Sequence, residues 1–236
     1  MIWLIAERAA LEAFRDRLSL LAGLFLAVAA PLVVVLLAVG PVAGSDVGPT
    51  LGTTMAFYLL VVGVLPAFSA VGIAAGQFAG EKERGVLTPL LASPASNLAI
   101  FAGKVLGAII PPLMYAALAE AVYLAGLMVL LGPAALRLFQ PSLAVATVLV
   151  VPAVTCFAAV VASLISSRVG TFNAAQQLGG LVLMPVWGLV FATAARLRDW
   201  GPVALFAAAA GLLLVDATIT VLAAATWRRE EVLARR

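Results

Sequence analysis

The sequence predicts an all-α membrane protein: six transmembrane helices preceded by an interfacial amphipathic helix, with both termini cytoplasmic. Three observations predict it. Of 236 residues, 64% are apolar and 11% charged, with a mean hydropathy of +1.17, far from the soluble balance of roughly half apolar and a quarter charged. Six apolar runs, near residues 19–40, 54–78, 107–131, 142–165, 174–195 and 202–227, reach the roughly 20 residues that a helix needs to cross about 30 Å of hydrocarbon. Runs this continuous leave no alternating polar face for a barrel lumen, and lipid satisfies no backbone group, so the spans are helices. The third observation is the uneven sharing of positive charge. Of the 14 lysines and arginines, all but Arg137, Arg196 and Arg198 fall on the side of the N-terminus, which is therefore cytoplasmic.

Residues 1–18 form the first unit. Trp3, Leu4, Leu11, Phe14 and Leu18 share an arc of about 100° on a helical wheel, and Arg8, Glu12, Arg15 and Asp16 lie on another face. Such a helix either rests in the inner interface before turning into the first span or serves as an orientation signal. About eighteen mixed residues precede the first long apolar run, unlike a secretory signal peptide, so the N-terminus is expected to be retained.

Residues 19–227 carry the spans. The run from Leu98 to Leu131 is too long for one upright crossing, and Pro111-Pro112 predicts a broken or kinked start to the third span, leaving Lys104 to snorkel to the cytoplasmic headgroups. Gly72-x-x-x-Gly76 and Gly103-x-x-x-Gly107 allow close helix approach. Trp187 and Trp200 mark interface positions on the outer half, Trp3 and Trp227 on the inner. The external connections near 44–52, 132–141 and 196–201 are short, so no extracellular domain is expected, and 228–236 is a basic cytoplasmic tail. Cys156 is the single cysteine, which excludes a disulfide within the chain, and there is no histidine. The pI near 9.5 comes from membrane flanks and not from one basic stripe, so nucleic acid is not an expected partner.

One polar stretch interrupts the apolar pattern on the cytoplasmic side, at 81–96. It opens with Glu81, Lys82, Glu83 and Arg84, loosens at Gly85, presents Val86, Leu87, Leu90 and Leu91, and stops at Pro94. The leucines recur at helical spacing, with Pro89 in the first turn. A helix this short is unstable alone. It either docks into a groove of a partner or is a solvated turn whose leucines dip back into the interface.

Gly80-Glu81-Lys82-Glu83-Arg84-Gly85-Val86-Leu87-Thr88-Pro89-Leu90-Leu91-Ala92-Ser93-Pro94-Ala95-Ser96, followed by Gly103-Lys104, resembles the segment after the second span of ABC-2 type membrane permeases. Ser166-Ser167-Arg168-Val169 through Ala174-Ala175-Gln176-Gln177 is similar to the turn between spans four and five in the sodium- and drug-efflux branch of that family. The chain departs from many members at Thr88, where they carry an acidic residue. The resemblance implies a coupling helix seated in a cleft of a separate ATPase subunit. Glu81, Glu83, Arg84 and Gly85 would lie at that contact, the charged side chains as polar contacts, with Leu87, Leu90 and Leu91 as the apolar plug. It also implies export, a pair of permeases (two copies of this chain or one with a related chain) and ATP with magnesium on the partner. No cofactor is expected in this chain, because no G-x-x-x-x-G-K-[ST] occurs and Gly103-Lys104 is followed by Val105.

Glu120 and Asp216 stand near the middles of spans three and six, where an unpaired carboxylate costs about 2.5–3.5 kcal/mol on insertion scales. They either line a translocation path or make structural hydrogen bonds to Thr218, Tyr115, Tyr123 or a neighbouring span. Asn173, Gln176 and Gln177 open span five and either glue helices together or meet substrate headgroups. The competing reading is an ion- or proton-coupled secondary transporter or channel that uses Glu120 and Asp216, although no internal repeat supports it. An intramembrane enzyme has neither a nucleophile with its base nor clustered metal ligands to work with.

Overall fold

The computed structural model describes residues 1–42, 48–87, 90, 92–133, 135, 141–194 and 201–227. These are helices and their connections, with no strand among them, and six helices are long and apolar enough to cross a membrane. We name them α1 (Ile2–Arg15), α2 (Arg17–Val39), α3 (Thr54–Glu83), α4 (Asn97–Leu131), α5 (Pro141–Arg168), α6 (Phe172–Ala194) and α7 (Pro202–Thr226). The six predicted runs coincide with α2 to α7. Residues 228–236, Trp200 and most of the predicted external loops lie outside the described residues.

The corner between α1 and α2 is made by one residue. Asp16 leaves the helical region (φ −73°, ψ 109°), ends α1 and caps α2, where its carboxylate accepts from the Ser19 backbone N–H at 3.2 Å and the Ser19 hydroxyl at 2.5 Å. The Ser19 hydroxyl bond holds the Asp16 carboxyl below its usual range, against a smaller opposing effect of burial. A carboxyl lowered on folding stabilises above its ordinary range and loses that contribution as pH falls through the folded value. Asp16→Ala is expected to cost about 1 kcal/mol at neutral pH. The difference should vanish in acid, as read by thermal unfolding at both pH values.

Prolines act differently in different spans. Pro66 sits in a 3-10 turn, Leu65–Ala67, that interrupts α3, and the Ser69 hydroxyl donates to the Pro66 carbonyl at 2.7 Å. Pro111 and Pro112 are buried within α4, which nevertheless runs unbroken from its Ser96 cap to Gly132 (φ +72°). Of the broken or kinked start expected for the third span, the break is therefore corrected. The prolines deprive the Gly107 and Ala108 carbonyls of their usual donors, and α4 tolerates this with both rings buried against its neighbours.

Helix α4 is the axis of the bundle and touches α1, α2, α3, α5 and α7, whereas α6 packs on α3 and α5. Around α4 sit the largest fully buried side chains, among them Ile100, Phe101, Tyr123 and Leu127, with Met55 from α3. The Tyr123 hydroxyl donates to the Met55 carbonyl at 3.1 Å. Leu36 and Leu37 of α2, Leu181 and Met184 of α6 and Val203 and Leu214 of α7 are exposed, as lipid-facing residues should be. Lipid is as apolar as leucine, so close packing and polar links, not a hydrophobic push, hold such helices together.

The N-terminal helix shows this packing most directly. Ala6, Ala9 and Ala10 are buried against α4 at Gly103 and Gly107. A Cβ added at Gly107 would collide with the Ala9 methyl and the Ala6 carbonyl, and one at Gly103 with Ile5 and the Ile2 carbonyl. The glycine pair at 103 and 107 thus receives α1. Of the predicted apolar arc, Trp3, Leu4, Leu11 and Leu18 are exposed, and Phe14 turns inward edge-on to Tyr115, 6.1 Å between ring centres.

Candidate functional site

The end of the bundle that carries the polar stretch is closely tied. Span α3 ends there in a glycine cap: Val86 N–H bonds the Glu81 carbonyl at 3.0 Å, Gly85 N–H bonds the Lys82 carbonyl at 3.1 Å, and Gly85 takes φ +71°. These are the paired bonds of a Schellman motif, which needs a residue without a Cβ at the left-handed position. The chain then drives Leu87 into the core, 3% exposed, with Leu90 packed partly against the same cluster. Arg84 and Val86, by contrast, face outward, and the Arg84 guanidinium donates back to the Gly80 carbonyl at 3.1 Å. Thr88, Pro89 and Leu91 lie outside the described residues, so the predicted helix over 87–91 is described only at Leu87 and Leu90.

The two glutamates of the stretch reach in different directions. Glu81 accepts from the Lys104 ammonium of α4 at 2.5 Å, and the same ammonium donates to the Gln77 carbonyl at 2.6 Å and lies 5.4 Å from the centre of the Phe78 ring. Lys104 is 2% exposed. Its predicted snorkelling to the headgroups is thus corrected: a carbonyl and a carboxylate within reach satisfy the charge inside the protein. Gln77, also buried, donates to the Ala9 carbonyl of α1 at 3.4 Å. Glu83 instead accepts from the backbone N–H of Phe172 at 2.9 Å, the first residue of α6, where the helix dipole favours an anion.

Further links close this end. Asn97 donates to the Trp227 carbonyl at 3.1 Å, Arg168 donates to the Thr226 hydroxyl at 2.6 Å, and Trp227 is buried edge-on to Phe78 and Phe101. Trp227 and the buried Trp187, which stacks at 4.3 Å on Phe68, are interior contacts and not interface anchors; Trp3 alone of the three is exposed.

Deeper in the bundle, Glu120 is half-buried and its Oε1 is buried without a hydrogen-bond partner, held in the notch left by the missing Cβ of Gly63 and beside Val151. Asp216 is 5% exposed, and both its carboxylate oxygens are buried without a partner. The hydrogen bonds anticipated for them are made elsewhere. Thr218 bonds the Leu214 carbonyl of its own helix at 2.8 Å, and Tyr123 bonds Met55. No hydrogen bond or ion pair joins Glu120 to Asp216 among the described residues. Asn173, Gln176 and Gln177 are exposed at the start of α6, with the Gln176 amide over Gly72 and the Phe172 ring beside Gly76 and Gly80.

A family model for the ABC-2 type transporter matches residues 1–200. The chain belongs to the ABC-2 type transporter family. Comparison with curated proteins gives no match. As an ABC-2 permease, the chain is the membrane-spanning component of a transporter and a multi-pass membrane protein.

Within this permease, the sequence singled out the residues of the polar stretch but not what holds it. Lys104, Gln77 and Ser166 are the fasteners. Lys104 carried a signal of its own: a lysine between two glycines, several residues inside an apolar run, requires an internal anion. Ser166 carried none, because a serine near a helix end usually bonds its own chain.

Proposed function

We propose that this permease is the membrane subunit of an ATP-driven exporter, moved by a separate ATPase subunit that binds ATP and magnesium and seats on residues 81–96. It works as a pair, with a second copy of itself or a related permease. Both termini and the 81–96 segment lie on the cytoplasmic side of a plasma membrane. The exported path runs between the two permeases, lined by Glu120 and Asp216 and by Asn173, Gln176 and Gln177. One observation carries the reading. The end of α3, where it runs into this segment, is braced at once to α1 through Gln77, to α4 through Glu81 and Lys104, and to α6 through Glu83. Force applied there reaches three helices, which is what a coupling element requires.

The outward residues Arg84 and Val86 offer the partner contact, and Leu87 anchors the segment from within. Val86→Asp, in a residue 55% exposed, is expected to leave the permease folded while reducing co-purification of the ATPase subunit about tenfold, or ~1.4 kcal/mol. Leu87→Asp is expected to unfold the permease itself, because it buries a charge in the core. A Val86→Asp complex that keeps both its ATPase subunit and substrate-stimulated turnover refutes the docking proposal.

A further inference from the structure

The last turn of α3 before the polar stretch, Gly76–Gly80, is a π turn, one residue wider than the α-helix on either side. Two backbone groups of this turn are held by side chains from other helices. The Ser166 hydroxyl of α5 stands between the Ala79 N–H, from which it accepts at 3.0 Å, and the Ala75 carbonyl, to which it donates at 3.3 Å. Ala75 and Ala79 are the pair that an α-helix would bond directly, so the hydroxyl occupies the place of a ladder hydrogen bond. The Gln77 carbonyl is taken by the Lys104 ammonium of α4 at 2.6 Å. Ser166 is 1% exposed, so it competes for these groups without water.

We propose that Ser166 and Lys104 are positioning residues that hold α3 in a wide turn, and that this turn is a rotary joint setting the direction in which Glu81–Val86 face. When the hydroxyl withdraws, Ala79 N–H bonds the Ala75 carbonyl directly and the turn closes to α. Taking the extra residue of the wide turn up into the 3.6-residue helix rotates everything beyond it by about 100°. Gly76 and Gly80 at the two ends of the turn let this happen beside the Phe172 ring, which lies 3.9 Å and 3.6 Å from where their side chains would begin. The inference deepens the coupling proposal and rests on it for its purpose: a rotation of the segment under the ATPase would be exchanged for a shift of α4 and α5. The joint itself is testable without any partner.

The test uses the full chain in lipid nanodiscs with Cys156 replaced by alanine and spin labels at Val86 and at Leu178 of α6, read by pulsed dipolar distances. Ser166→Ala is expected to move the main distance by about 5 Å or more, as a label on a rotated turn must. Ser166→Thr keeps the hydroxyl and is expected to restore the native distance. Ser166→Val, isosteric with threonine, gives the same reading as alanine and serves where Ser166→Ala does not fold. A native distance in both the alanine and valine variants overturns the joint. So does a threonine variant that moves as far as they do. In a complex with an ATPase subunit, Ser166→Ala is expected to lower transport per ATP hydrolysed; a moved distance with unchanged transport per ATP counts against the coupling reading and leaves the joint standing.

Discussion

Lys104→Met is expected to destabilise the permease by about 3–5 kcal/mol, the usual cost of removing one partner from a buried pair. The Lys104 side chain is 3% exposed and the Glu81 side chain 12%, so solvent cannot take over the charge left behind. Removing the lysine strands the Glu81 carboxylate and the Gln77 carbonyl together. Adding Glu81→Leu to Lys104→Met should recover most of the loss, because replacing both members of a buried pair with apolar groups is often neutral. Denaturant unfolding of the detergent-solubilised chain measures both. If the single variant falls by less than about 1 kcal/mol, in the range of an exposed pair, the buried pair does not brace the segment.

Gly107→Val is the second large effect. Its new methyl groups would enter the Ala9 methyl, the Ala6 carbonyl and the Ala10 backbone, which are the body of α1 and not a flexible side-chain end. The two helices must part, and overpacking of this kind costs about 1–3 kcal/mol. The Gln77 bond to the Ala9 carbonyl should be lost at the same time. The check is limited trypsin digestion: cleavage after Arg8, Arg15 and Arg17 should accelerate relative to cleavage elsewhere, with thermal unfolding recorded alongside. Unchanged digestion would show that α1 is not held by this seam.

Much of the architecture was legible because its cause is local. A run of about 20 apolar residues has few fates in lipid, and α2 to α7 follow from that alone. The caps at Asp16 and Ser96 and the left-handed Gly85 where α3 stops are equally local in cause, but they became visible only once the helix ends were in place. What the sequence could not supply were contacts between distant segments. Pro111 and Pro112 read as a break or a kink, because a proline's effect on its own turn is local and the packing that keeps the helix unbroken is not. Lys104 read as a snorkelling residue because its partners, Gln77 and Glu81, lie on another helix. The apolar arc of α1 was visible, but its buried alanine face was not, because alanine carries too little hydropathy to outweigh tryptophan and leucine. For the candidate site, the polar stretch was found as a unit. Its division into inward Glu81 and Leu87 and outward Arg84 and Val86 depends on the Schellman cap, which turns the chain between them.

Asp216 divides the bundle energetically. Helix α7 holds over its neighbours a carboxyl group with two sealed, unpartnered oxygens, a burden of about 2.5–3.5 kcal/mol on insertion scales. Helices α1 and α4 meet along a seam of alanine on glycine. That seam is a stator, comfortable where it sits. Helix α7 is a loaded stave, which gains whenever water reaches its acid.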